Sequence, residues 1–304
     1  MDGIPVRCRR GEVLLADGAL GSLLLARGLE KGAAPESLNL SQPEILEDIA
    51  RLYLEAGAEI IQTNTFGASP LKLAKYNLAG KAAEINAAAV AAVRRAVGGR
   101  AYVSAACGPS GRLLLPFGDT AASDVYDSFL LQIAALLKAG VDAVCVETMT
   151  DLTEARLAVQ AARRLSSTVP VMATMTFEPT PRGFFTIMGV SIAAACRGLE
   201  EAGADLVGSN CGNGSAQMSA IAREFRKCTR LPLLIQSNAG IPELRQGQVH
   251  YPETPDYMAE MSRELLAAGV SVIGGCCGTT PEHTRAMRRV LDEEMKKRHG
   301  HPPA

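Results

Sequence analysis

The chain has no tryptophan, only four histidines, and aromatic residues at just 4% of its 304 positions. So few rings leave no stacking platform of the kind single-stranded nucleic acids require. An excess of charge is missing too, since 31 Lys and Arg against 32 Asp and Glu leave a formal net charge of −1. A dedicated nucleic-acid binder would carry a basic stripe, so that class is excluded. No apolar run reaches the roughly 18 residues of a membrane span. The opening Met1-Asp2-Gly3-Ile4-Pro5-Val6-Arg7-Cys8-Arg9-Arg10 has basic residues with no apolar stretch behind them, so neither a secretory signal nor a membrane partner is expected. No Ser/His/Asp arrangement is visible around the histidines at 250, 283, 299 and 301. His283 follows Thr280-Pro281-Glu282, which reads as a helix start, so a supporting role is expected for it rather than metal ligation.

What is there is a globular composition, 47% hydrophobic and 21% charged, too apolar for a disordered chain. Eight cysteines without a leader are expected as reduced thiols in the cytoplasm, not as a disulfide framework. Short apolar stretches alternate with Ala/Leu-rich helical ones. The expected strands are Val13–Ala16, Glu59–Thr63, Ala101–Ala106, Ala143–Val146, Val171–Thr176, Leu206–Ser209, Leu233–Gln236 and Ser271–Gly274. Helices are expected near 43–56, 81–97, 122–139, 151–165, 191–202, 215–228, 254–268 and 281–298. Such alternation implies parallel strands with helices outside.

One αβ turn recurs, as Glu55-Ala56-Gly57-Ala58, Lys138-Ala139-Gly140-Val141, Glu201-Ala202-Gly203-Ala204 and Ala267-Ala268-Gly269-Val270. Glycine there accepts the left-handed conformation that ends a helix. The repetition favours a closed α/β TIM barrel, (β/α)₈, over a doubly wound sheet. The dinucleotide fingerprint is also missing, because Asp17-Gly18-Ala19-Leu20-Gly21-Ser22 has the wrong spacing. A single domain spanning 1–304 is expected, with its core at about 11–292 and a frayed tail from Lys296.

Chemistry in such a barrel belongs to the loops after the strands. Three cysteines stand there, Cys211 after strand six and Cys276-Cys277 after strand eight. Three thiolates and a free fourth position make a zinc site of the catalytic type, whereas structural sites close with four. The competing readings are small buried hydrophobes and a strained vicinal disulfide between Cys276 and Cys277. Cys8, Cys145, Cys196 and Cys228 fit the buried or surface roles of ordinary free thiols, and Cys107, near the mouth, is ambiguous. Zinc with three thiolates is a poor activator of water but deprotonates an incoming thiol and leaves it nucleophilic, so thiol alkylation is the natural reaction. Asp17 and Glu147, ending otherwise apolar strands, suit a cationic group on the substrate, unless each pairs with an Arg or Lys.

Asp17-Gly18-Ala19-Leu20-Gly21, Thr63-Asn64-Thr65-Phe66-Gly67-Ala68, Gly108-Pro109-Ser110-Gly111, Asn210-Cys211-Gly212 and Gly274-Gly275-Cys276-Cys277-Gly278-Thr279-Thr280-Pro281-Glu282-His283 resemble the homocysteine S-methyltransferase family. The likeness is nearest to the homocysteine-binding barrel of cobalamin-dependent methionine synthases. It implies zinc on Cys211, Cys276 and Cys277, homocysteine sulfur in the fourth position, and methionine as product. It further implies that Asp17 and Glu147 receive the amino group and that Gly18, Phe66, Gly67 and Asn238 border the substrate. The Phe66-Gly67-Ala68 backbone is the expected carboxylate site, and the Asn238 amide oxygen a stand-in for absent substrate. Asn210 fits a loop turn equally well.

No corrinoid signature occurs and no second barrel fits, so the methyl donor is expected to be a methylcorrinoid (cobalamin) on a separate protein. Thr176–Phe185 shapes either a donor or partner surface or a proline-stiffened loop. The rival readings are an S-methylmethionine or S-adenosylmethionine donor, another thiol acceptor, a phosphate-binding barrel lyase or isomerase, and a non-catalytic zinc or homocysteine-binding subunit.

Overall fold

The computed structural model describes residues 2–30, 32–245 and 248–299. Eight parallel strands form one sheet: β1 Leu14–Leu15, β2 Ile60–Gln62, β3 Tyr102–Cys107, β4 Ala143–Met149, β5 Val171–Met175, β6 Leu206–Asn210, β7 Leu233–Ser237 and β8 Val272–Gly275. Each pairs with its neighbours in sequence, β8 pairs with β1, and a parallel bridge from Ala16 to Ile60 closes the ring. Eight principal helices follow the strands: α1 Pro43–Glu55, α2 Ala82–Val97, α3 Ala122–Lys138, α4 Leu152–Leu165, α5 Ile192–Ala202, α6 Ser215–Cys228, α7 Pro255–Ala267 and α8 Pro281–His299. This is the expected (β/α)₈ barrel. The tail expected to fray from Lys296 is helical as far as His299, and positions 300–304 lie outside the described residues.

The strands are buried on both faces, which is why they read as continuous apolar runs. Leu14, Ile60, Tyr102, Cys145, Met172, Leu206, Leu234 and Val272 pack together as one cluster inside the barrel. Their neighbours, Leu15, Ile61, Val103, Val144, Ala173, Val207, Leu233 and Ile273, pack outward against the helices. The alternation is the period of two inherent in a strand. Gly57, Gly140, Gly203 and Gly269 of the recurring turn all have φ between 78° and 104°, as the helix-stop reading requires.

Beyond short helical segments in the loops after β1 and β2, an N-terminal helix and two hairpins were not foreseen. The first residues form a helix, Ile4–Arg9, whose Ile4 and Cys8 join the interior cluster; Cys8 is therefore part of the packed barrel floor and not of a loose tail. The stretch expected as a loop or partner surface contains a hairpin in which Glu178–Thr180 pairs with Gly183–Phe185. A second hairpin pairs Glu243–Arg245 with Gln248–His250. Both hairpins follow barrel strands, β5 and β7, and so rise from the mouth.

Gly208 faces the crowded interior, where an added Cβ would lie 1.8 Å from the Leu234 carbonyl oxygen. Gly208→Ala is expected to destabilise the fold by about 3 kcal/mol or more. A lowered urea midpoint at unchanged slope is the measurement.

Candidate metal and substrate centre

The three cysteines expected to converge do so. Their Sγ atoms all lie within 4.8 Å of one another, and Cys211 and Cys277 are 3.7 Å apart. Zinc–sulfur bonds near 2.3 Å put the sulfurs of a tetrahedral site about 3.8 Å apart, so the spacing fits a shared ion. It is far too long for a disulfide, and every cysteine in the chain is free. Among the described residues no fourth His, Cys, Asp or Glu joins the cluster, and Cys107 stays outside it, buried at the end of β3.

The backbone is bent to achieve this. Cys211 has φ 62°, a left-handed conformation uncommon outside glycine, and Gly212 follows at 76°. Gly275 leaves room for Thr279, whose hydroxyl donates to the Cys276 carbonyl at 2.7 Å. Hydrogen bonds from Cys276 and Cys277 pull the Cys211 thiol well below its ordinary range, and the same bonds push Cys276 up. Tyr251, which the sequence reading passed over, packs on Gly278 beside the cysteine pair.

The amides around Cys276-Cys277 are all engaged. Cys276 N–H donates to the Ser237 carbonyl, Cys277 N–H to Asn238 Oδ1, Gly278 N–H to Ser22 Oγ, and Thr279 N–H to the Cys276 carbonyl. That leaves no nest for a phosphate after strand eight. Asn238, expected beside the metal, accepts Cys277 N–H on its amide oxygen at 3.1 Å, which ties β7 to the cysteine loop. His283 is likewise a structural residue: its Nδ1 accepts from Thr280 N–H at 3.1 Å and its Nε2 meets the Glu253 carbonyl at 3.0 Å.

Beside the thiols is a cavity of about 280 Å³, with Gly18, Gln62, Phe66, Glu147, Cys211 and Cys276 on its wall. Glu147 sits at a break in the β4 register, between Val146 and Met149. A bulge re-aims a side chain, and here Thr148 takes φ 58° to make it. Asn210 locks that bend, accepting Thr148 N–H and donating to Thr148 Oγ1, both at 2.7 Å. It is therefore a brace between Glu147 and Cys211, more than the turn residue it resembled.

Asp17 and Glu147 are buried, and neither has an ion-pair partner among the described residues, so pairing with Arg or Lys is not their role. Gln62 links them: its backbone N–H donates to Asp17 Oδ2 at 2.8 Å and its Nε2 to Glu147 Oε2 at 3.1 Å. Burial pushes both carboxyls up to about 7, against the pull of those bonds. Asp17 Oδ1 has no hydrogen-bond partner among the described residues. Its carboxylate adjoins a separate void of about 10 Å³ with Gln62, Tyr53 and Val93, one layer back from the cavity wall where it was expected.

The expected carboxylate cradle is also different. Gly67 N–H donates to Glu36 Oε1 at 2.6 Å, so that amide is already engaged by the protein. Phe66 does reach the cavity wall, packed over Gly108. Gln62 escaped the sequence reading because the mouth was read from Asn64 onward, whereas β2 ends at Gln62, and Glu36 escaped it because Gly67 was read as a free amide. A polar residue closing the apolar pair Ile60-Ile61 was the available signal.

A closed barrel whose mouth brings three thiols and the unpaired Glu147 to one cavity, with the unpaired Asp17 behind its wall, defines a protein with a metal-ready centre for a small charged ligand. The chain belongs to the homocysteine S-methyltransferase family, whose model matches residues 14–291. Methionine synthases of Mycobacterium tuberculosis and Mycobacterium leprae are each 36% identical to it over 292 residues, covering 90% of this chain. The chain spans about a quarter of their length, 24% in each case. The metallated form of the homocysteine methyltransferase MmuM from Escherichia coli has the same fold, with a TM-score of 0.78 at 22% identity over 94% of this chain and 99% of that one.

The two acids carry a testable penalty. With folded values raised to about 7 above ordinary unfolded ones near 4, they add nothing unfavourable at low pH. As pH rises from about 4 to 7 the unfolded chain loses its protons first, so stability falls and stays lowered above 7. Glu147→Gln is therefore expected to leave the melting temperature of the ligand-free protein nearly unchanged at pH 4.5 and to raise it at pH 8. The gain at pH 8 should be on the order of 2–3 kcal/mol, measured by calorimetric unfolding at both values.

Proposed function

We propose that the chain transfers a methyl group to the thiolate of homocysteine, forming methionine, with zinc on Cys211, Cys276 and Cys277. The observation that carries this reading is the triangle of sulfurs opening onto a cavity that also holds Glu147. Bound there, zinc supplies a fourth position at which a substrate thiol is held as thiolate at neutral pH. The protein's own residues do the rest. Glu147, with the charge of Asp17 behind it, draws the substrate ammonium to its own stretch of the cavity wall. Asn238 fixes the Cys277 backbone, and Asn210 fixes the distance between the ammonium site and Cys211. Phe66 and the apolar wall keep water from the thiolate. A phosphate-binding lyase or isomerase is disfavoured by the engaged amides after β8.

The donor we propose is a methylcorrinoid on a separate polypeptide or domain. Its support is the rim around the cavity, where Leu115, Phe117, Ile187, Ile241, Leu244 and Val249 are all more than half exposed on the loops after β3, β5 and β7. Isolated exposed apolar residues are normal, but six around one mouth suit a broad surface that is covered during turnover. A sulfonium donor is the alternative. The free thiols are consistent with the reducing cytoplasm, and no described helix is long and apolar enough to cross a membrane.

One zinc per chain is expected, with Cys211→Ala and Cys277→Ala each losing it in metal analysis; full occupancy in both would refute the ligand set. Glu147→Gln is expected to keep its zinc while weakening homocysteine binding about 30- to 100-fold by calorimetry. Given homocysteine and a panel of donors, the zinc-loaded protein should form methionine with a methylated corrinoid protein and far less with S-methylmethionine or S-adenosylmethionine. The opposite ranking would assign the sulfonium donor.

A further inference from the structure

Among the described residues, Gln62 is the one that hydrogen-bonds to both unpaired acids. Its main chain holds Asp17 and its side chain holds Glu147, from a position on the cavity wall. Ionised, as an ammonium ligand requires, Glu147 only accepts hydrogen bonds, and the amide turns its NH₂ to it at 3.1 Å. That fixes the carbonyl oxygen, Oε1, on the opposite side. It receives no hydrogen bond from any described residue, yet it is not among the sealed, unpartnered atoms of the interior. A half-buried amide oxygen is thus left open to the cavity beside a carboxylate, and an ammonium group has three N–H bonds to place.

We infer that Gln62 is a specificity-determining residue of the proposed reaction: its Oε1 accepts an N–H of the substrate's α-ammonium while its Nε2 holds Glu147 in position to accept another. The cavity then selects thiols that carry a primary ammonium group and rejects thiols of the same length that lack one. The inference rests on the homocysteine reading and adds the group that reads the amine. Asp17 acts through Gln62: the bond from its carboxylate to the Gln62 N–H sets the end of β2, and its charge adds to the field at the amine. Glutamine has a property here that a third acid would lack. It supplies an acceptor to the ammonium without another charge to desolvate in a site where two carboxyls are already pushed up.

The test compares homocysteine with 4-mercaptobutyrate, which has the same thiol, chain and carboxylate but hydrogen in place of the amino group. Binding to zinc-loaded protein is measured by calorimetry for the wild type and for Gln62→Met, a substitution of similar volume with no hydrogen-bonding oxygen. Zinc content and melting temperature are recorded alongside. The variant should lose about 10- to 100-fold in affinity for homocysteine and stay within about twofold for 4-mercaptobutyrate. Gln62→Asn, whose amide is one methylene shorter, should lose the same selectivity and serves if Gln62→Met folds poorly. Equal losses for both thiols, or no loss for either, would overturn the inference. Wild-type protein that holds zinc but does not bind homocysteine would overturn the functional reading itself, a result separable from the behaviour of the variants.

Discussion

Negative charge at the barrel mouth has no counterpart in the protein, and the arrangement of the centre stems from that. Three sulfurs share a space in which not all can ionise together without a cation, and two carboxyls nearby are buried without one. A buried charge lacking a partner is among the costliest features a fold can retain. Here the protein mitigates it with hydrogen bonds, two from Gln62 to the acids and one shared between the Cys211 and Cys277 sulfurs. Neither set removes the deficit. A metal ion and a substrate ammonium would, and they would do so at two separate points of the same cavity.

Holding such a centre open requires rigid surroundings, and a barrel offers them because every strand ends at the same face. Each functional side chain stands at a local departure from ideal strand geometry. Cys211 takes a left-handed turn, Glu147 a bulge, and Cys276-Cys277 a loop between glycines. The departures are tied to one another: Asn210 bridges the bulge and the Cys211 turn, while Asn238 carries β7 to the Cys277 amide. The bends at the ends of β4, β6 and β8 are therefore tied to one another by hydrogen bonds.

The barrel was legible because it is repetitive. Eight apolar runs and four copies of one helix-stopping turn say the same thing, so errors of a residue or two at strand ends do not change the outcome. Those same small errors decided what was missed in the site. Reading β2 through Thr63 hid Gln62, and reading Gly67 as a free amide hid Glu36, which lies 31 positions away in sequence and reaches it at 2.6 Å. The cysteines were legible for the opposite reason: thiols at strand ends have few structural uses, so residue type alone carried the inference. Hairpins over Glu178–Phe185 and Glu243–His250 could not be read from the pattern, because their strands of three residues each are too short to show alternation.

The two ends of the barrel settle which acids are structural. At the floor, Glu59 takes Arg7 and Arg288, Asp142 takes Arg94, and Asp205 takes Arg163. Asp142 and Asp205 also accept from amides of neighbouring strand starts, Val103 N–H and Val171 N–H. Those carboxylates are neutralised and partly solvated, and they fasten helices to the sheet. At the mouth, Asp17, Glu36, Glu147 and Glu154 are each no more than 6% exposed and none forms an ion pair among the described residues. Glu36 and Glu154 are nevertheless satisfied by the loops they anchor, through Gly67 N–H and through the Ser110 amide and hydroxyl. Only Asp17 and Glu147 combine deep burial with a bridging glutamine that still has an oxygen to offer. Partner by partner, the structural acids are accounted for, and the remainder marks where the protein expects charge from outside.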